Sequence, residues 1–193
     1  MPPVAALMES DEPAVIVVPR LVHRDMGLRA VHALRLGFDP DAIFFGTDTY
    51  SMEFPAKDLK DVKIEPSELQ RRAEAGDPSI GQNIVGYKVQ RHGTLEGWFL
   101  PFTGSGPDTF HWTEKAWKDE RPSDDGFVPR ELRLIMTENL SEHPFLVETT
   151  RAARQMFGSG YDRRRELYHR GSGVLKALER MNFVCFDICK EPA

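Results

Sequence analysis

Four arginines and a histidine crowd one short stretch of the chain, at Arg163, Arg164, Arg165, His169 and Arg170. Guanidinium groups stay charged at neutral pH and present paired N–H donors that match an oxyanion edge. The cluster predicts an anionic partner at Arg163, Arg164, Arg165 and Arg170 and could hold phosphates. The alternative is a solvated arginine-rich helix face, the usual fate of a charge run. Directly after it, Gly171-Ser172-Gly173 precedes an apolar run. Such a turn can offer backbone N–H groups and a helix N-terminus to a phosphate, but it lacks the Lys of a P-loop, and a plain helix N-cap at Ser172 explains it more simply. Residues 104–148 hold ten Asp/Glu against five Lys/Arg, whereas residues 151–180 hold eight Lys/Arg against three Asp/Glu. This asymmetry describes an α+β interaction protein whose acidic middle and arginine-rich C-terminal region bind a protein or nucleic-acid partner.

A second constellation lies near the N-terminus: His23-Arg24, a helical stretch, Gly37-Phe38, and then Phe44-Phe45-Gly46-Thr47-Asp48-Thr49-Tyr50, with Phe54, Ala56 and Lys57 beyond. It resembles the opening of the ADP-ribosyltransferase fold in its poly(ADP-ribose)-polymerase-like and diphtheria-toxin-like branch. There, a strand ends in His, a helix leads to a Gly-Phe or Gly-Leu turn, and a Phe-Gly-x-x-x-Tyr segment follows. The resemblance implies transfer of ADP-ribose from NAD to a protein, nucleic-acid or small-molecule acceptor. It implies NAD contacts at His23, Arg24, Gly46 and Tyr50, with the imidazole on the adenosine ribose and the Tyr50 ring on the nicotinamide. Nicotinamide departs through an oxocarbenium-like state, so a carboxylate must also act at the ribose. Glu148 and Glu96 are the two candidates beside Tyr50. Glu148 is preferred because it follows an apolar run, as the family's strand-borne Glu does.

Other readings of these residues fail. His23-Arg24-Asp25 spells a kinase catalytic loop, but Ala30 stands where the magnesium-binding Asn belongs and no nucleotide-binding lobe precedes it. His23-x-Asp25 with a distant His92 fits an iron facial triad, yet only 22 residues precede it, too few for the barrel such enzymes need. Cys185 and Cys189 are spaced C-x-x-x-C within an apolar run and read as small buried hydrophobes rather than a metal site. No metal is expected.

The elements that must position these groups follow from apolar pattern and turn chemistry. Ala14–Val18 is a β-branched run between prolines and predicts a buried strand. Asp25 reads as the N-cap of a helix over Met26–Leu36, with Leu28, Val31 and Leu34 at helical spacing and Gly37 as its stop. Ala42–Phe45 predicts the next strand. A polar helix follows Glu65-Pro66-Ser67-Glu68 and ends at Gly76-Asp77-Pro78, after a charged surface excursion at 57–63. Asn83–Gln90 and Leu95–Phe102 flank Arg91-His92-Gly93-Thr94 as a hairpin. Trp98, Phe99, Phe102, Phe110, Trp112 and Trp117 form a ligand wall, a partner surface or core. Helices are expected over Pro129–Asn139, Phe145–Phe157, Asp162–Tyr168 and Val174–Met181, and a last strand over Phe183–Ile188. The fold class is α+β: a mixed, mainly antiparallel sheet with an N-terminal strand-helix-strand unit and a helical C-terminal third. We expect one domain, with a flexible leader at 1–13, a long loop at 104–126 and a mainly helical part at 129–181.

Composition sets the frame. The chain has 193 residues, 40% hydrophobic and 28% charged, with net charge −5. A chain of this size buries roughly 70% of its unfolded surface, enough for a core without disulfides. The charge excludes a globally basic nucleic-acid binder. No apolar run is long enough for a membrane span and no basic n-region opens the chain, so a cytoplasmic location away from membranes is expected.

Overall fold

The computed structural model describes residues 3–9, 12–20, 24–52, 66–77, 79–103, 111–112, 117–119 and 127–187. The strands are β1 (Val4–Glu9), β2 (Glu12–Pro19), β3 (Ala42–Met52), β4 (Ile80–Gln90), β5 (Leu95–Thr103), β6 (His111–Trp112), β7 (Trp117–Asp119) and β8 (Phe183–Asp187). They form one sheet in the order β6-β5-β4-β3-β1-β2-β8, with β7 also on β5. Every described pairing is antiparallel. The helices are α1 (Arg24–Phe38), α2 (Pro66–Glu74), α3 (Phe127–Thr137), α4 (Pro144–Phe157) and α5 (Arg163–Arg180). The protein is α+β, with the helical C-terminal third expected from its periodicity.

Strand alternation divides the sheet into two faces. Ala5, Val15, Val17, Ile43, Phe45, Val89 and Leu95 point to one face and form the core with Leu28, Val31 and Leu34 of α1, Leu132 and Met136 of α3, and Leu175 and Leu178 of α5. Tyr87 and Cys185 pack against the same cluster. Burial pushes the Cys185 thiol up to about 11, so it is the inert hydrophobe its apolar setting suggests; Cys189 lies outside the described residues.

Four expectations change. Residues 4–9, assigned to a flexible leader, form β1, which pairs with both β2 and β3 and separates the two strands of the opening strand-helix-strand unit. Its apolar run from Val4 to Met8 fits the middle of a sheet; Pro2, Pro3 and the nearby acids disguise it. Asp25 lies in the first turn of α1 rather than at its cap, and the helix runs through Gly37. The left-handed residue is Asp39 (φ 50), whose N–H closes on the Arg35 carbonyl at 3.1 Å. Gly171-Ser172-Gly173 is not a turn before a helix but the middle of α5, which begins at an N-cap Asp162 whose side chain accepts from the Arg164 N–H. The phosphate-binding and N-cap readings of that tripeptide both fall with it. Within 104–126, the described residues include two short strands, both on β5.

Candidate anion-binding site

Helix geometry separates the arginine run. Successive residues turn by about 100°, so Arg163, Glu166 and Arg170 share a face of α5 while Arg164 and Arg165 turn away. Arg164 and Arg165 are exposed. Arg163 and Arg170 instead line a pocket of about 590 Å³ with Arg151 and Arg154 of α4. Leu140 and Ser141 of the α3–α4 connection, and Leu146, Val147, Thr150 and Gln155 of α4, complete its wall. The cationic cluster anticipated at Arg163, Arg164, Arg165 and Arg170 therefore keeps two members and gains two that lay unremarked. The spacing of Arg151 and Arg154, three apart on an amphipathic helix, was the available signal.

Glu166 organises this wall from behind. Only 1% exposed, it accepts hydrogen bonds from Thr150 Oγ1 at 2.7 Å, Arg163 Nη1 at 2.8 Å, Arg170 Nη1 at 2.9 Å and the Tyr161 hydroxyl. Burial alone would push its carboxyl up; the Tyr161 and Thr150 hydrogen bonds and the Arg163 cation outweigh this and hold it below the ordinary glutamate range. Arg170 is equally enclosed. Its Nε donates to the Gly37 carbonyl at 3.0 Å, joining α5 to the end of α1, but its Nη2 is buried with no hydrogen-bond partner. Burial and the neighbouring Arg163 cation lower its affinity for the proton against the pull of Glu166 and Asp39. Asp39 lies 3.7 Å from Arg163 and also pairs with Arg35 and Arg91. On the open side, Arg154 stacks its guanidinium 5.4 Å from the Tyr161 ring centre. Among the described residues, Arg151 and Arg154 have no carboxylate partner.

The N-terminal constellation is arranged differently. His23 lies outside the described residues, and Arg24 opens α1. Gly46 and Tyr50 share the sheet face opposite the helices, since Phe45, next to Gly46 and of opposite parity to both, points into the core. On this face the Phe44 ring lies 3.2 Å from where a Gly46 Cβ would stand, and 6.1 Å from the Trp98 ring. Glu96 is on the same face but is paired with Lys118 at 2.8 Å. The register sets Glu96 level with Phe44, so Tyr50 is six residues, roughly 20 Å, farther along the sheet. Glu148 is on a helix, not a strand: it is exposed on α4, which packs on α5 on the other side of the sheet. Neither candidate carboxylate converges on Tyr50. The helix expected over Phe145–Phe157 is the one that carries Glu148, so the likeness to a strand-borne Glu does not hold: the three-residue apolar run before it fits a helix as well as a strand. Of the aromatic group, Trp98 is half-buried on this face; Phe110 lies outside the described residues.

Among the described residues no group of acids, histidines and cysteines is placed to hold a metal, and no helix is long and apolar enough to cross a membrane. Comparison of the chain with family models, curated proteins and solved structures finds no match.

Proposed function

We propose that this is a binding protein whose arginine-lined pocket between α4 and α5 takes an anionic group of its partner. The observation that supports this reading is Arg170, a buried cation on the pocket wall with one terminal nitrogen unspent. A buried donor left unpaired is costly, and it is rare unless a ligand or water meets it. Among the described residues four guanidinium groups and no carboxylate line the pocket, and Arg151 and Arg154 are exposed and have no carboxylate partner there.

The test is thermal unfolding in rising concentrations of orthophosphate, sulfate, a dicarboxylate and NAD. A ligand that binds only the folded state raises the melting temperature with concentration. At least one of these anions should do so for wild type, and the response should vanish in Arg151→Glu/Arg154→Glu. An unchanged response in that variant, or none in wild type, refutes the reading. NAD has a second readout: nicotinamide release that depends on Tyr50 would favour the ADP-ribosyltransferase reading instead, which the resemblance at His23, Gly46 and Tyr50 supports.

A further inference from the structure

We infer that the anion is a phosphate monoester carried on an aliphatic body; this rests on the pocket being an anion site. Charge is the first argument. The wall holds Arg151, Arg154, Arg163 and Arg170; among the described residues Glu166 bonds Arg163 and Arg170 and Asp39 lies 3.7 Å from Arg163, whereas Arg151 and Arg154 have no carboxylate partner. Two positive charges remain in excess. A carboxylate would offset one of them, whereas a phosphate monoester brings about −1.5 to −2 at neutral pH. Geometry is the second. A carboxylate presents one edge to a guanidinium fork, but three terminal phosphate oxygens can be shared among forks approaching from α4 and α5.

The rest of the wall describes what the phosphate is attached to. The volume of about 590 Å³ is in the range that holds an organic molecule, more than a bare oxyanion needs. Its apolar part is Leu140, Leu146 and Val147, with Ser141 and Gln155 as further polar contacts. Among the described residues no aromatic ring lines it, so it lacks the ring platform of the single-strand-binding proteins on which successive bases stack. A small phosphate ester and a phosphorylated serine in a polypeptide share this chemistry.

Calorimetric titration of the full chain at fixed ionic strength decides between them. The ligands are glycerol phosphate, a phosphoserine peptide, the same peptide with serine or glutamate in its place, and orthophosphate. At least one of the two esters should bind about tenfold or more tighter than the glutamate peptide and orthophosphate. Whether glycerol phosphate or the peptide binds tighter identifies the source. Arg151→Gln and Arg154→Gln should each weaken ester binding about tenfold, and Arg164→Gln and Arg165→Gln, off the pocket, less than about twofold. Ester affinity should also rise as the phosphate loses its second proton near about pH 6. Equal binding of the glutamate peptide or of orthophosphate overturns the inference, as does a loss in Arg164→Gln matching that in Arg154→Gln. If sulfate or dicarboxylate still protects wild type through Arg151 and Arg154, the phosphate assignment alone has failed. If no anion protects it, the binding reading fails too.

Discussion

Glu166 is the residue on which the site depends, because it is the only carboxylate bonded to both Arg163 and Arg170 among the described residues. Replacing it leaves an enclosed guanidinium without its counter-charge, a situation that costs about 3 kcal/mol or more. Glu166→Gln should therefore lose about that much stability at pH 7, read by chemical denaturation. Its carboxyl is held below the ordinary glutamate range in the folded protein. A depressed folded pKa contributes stability that is present above the unfolded value and disappears as pH falls through the folded one. The gap between wild type and Glu166→Gln should accordingly narrow on acidification below about pH 4.3. A gap that stays constant across that range would mean Glu166 acts through shape rather than charge. Helical spacing brings Arg163 and Arg170 to Glu166 within α5, but its burial is not legible in a run of charged residues, and Thr150 meets it only once α4 lies on α5.

At the scale of elements, α1 and α5 approach closely through glycine. A Cβ on Gly171 would stand 2.2–2.7 Å from the Phe38 ring, and one on Gly37 would stand 3.1 Å from Val174. Each helix thus seats a large side chain of the other over a glycine. This explains why Gly37 continues α1 and Gly171 continues α5, although glycine in isolation suggests a helix end. Gly173 has nothing within 4 Å of such a Cβ. Gly171→Ala should then destabilise by about 1–3 kcal/mol through overpacking. Gly173→Ala should stabilise by about 0.5–1 kcal/mol through helix propensity. Melting temperatures moving in opposite directions would establish the contact; a gain in both would show that Gly171 merely tolerates the helix. The contact also fixes the site, since the Arg170 guanidinium, one residue from Gly171, reaches the Gly37 carbonyl across this seam.

For the whole molecule, β1 has the widest consequence. It bonds β2 on one side and β3 on the other, so it holds β2 and β8 to the rest of the sheet. A strand in this position cannot be released without exposing the edges of both neighbours and the core above Ala5. Deletion of residues 1–9 should abolish cooperative unfolding and collapse amide dispersion in NMR spectra. A dispersed spectrum from the truncated chain would show that β2 can close on β3 unaided.

Local pattern determined most of the elements. The β4–β5 hairpin and the helices at 66–74, 127–137 and 144–157 follow from period, capping and turn residues, which act within a few positions of one another, whereas local pattern divides the helix at 163–180 in two at Gly171-Ser172-Gly173. The antiparallel α+β class follows from them. What the sequence left open depends on distant partners. A leader or a central strand, a glycine stop or a glycine seat, and an arginine run or a convergent arginine pocket differ only in what packs opposite. Tertiary structure decided each of these, because burial, close approach and long-range hydrogen bonding are set between residues such as Ala5 and Phe45, Gly171 and Phe38, or Arg170 and Gly37, which local spacing cannot relate.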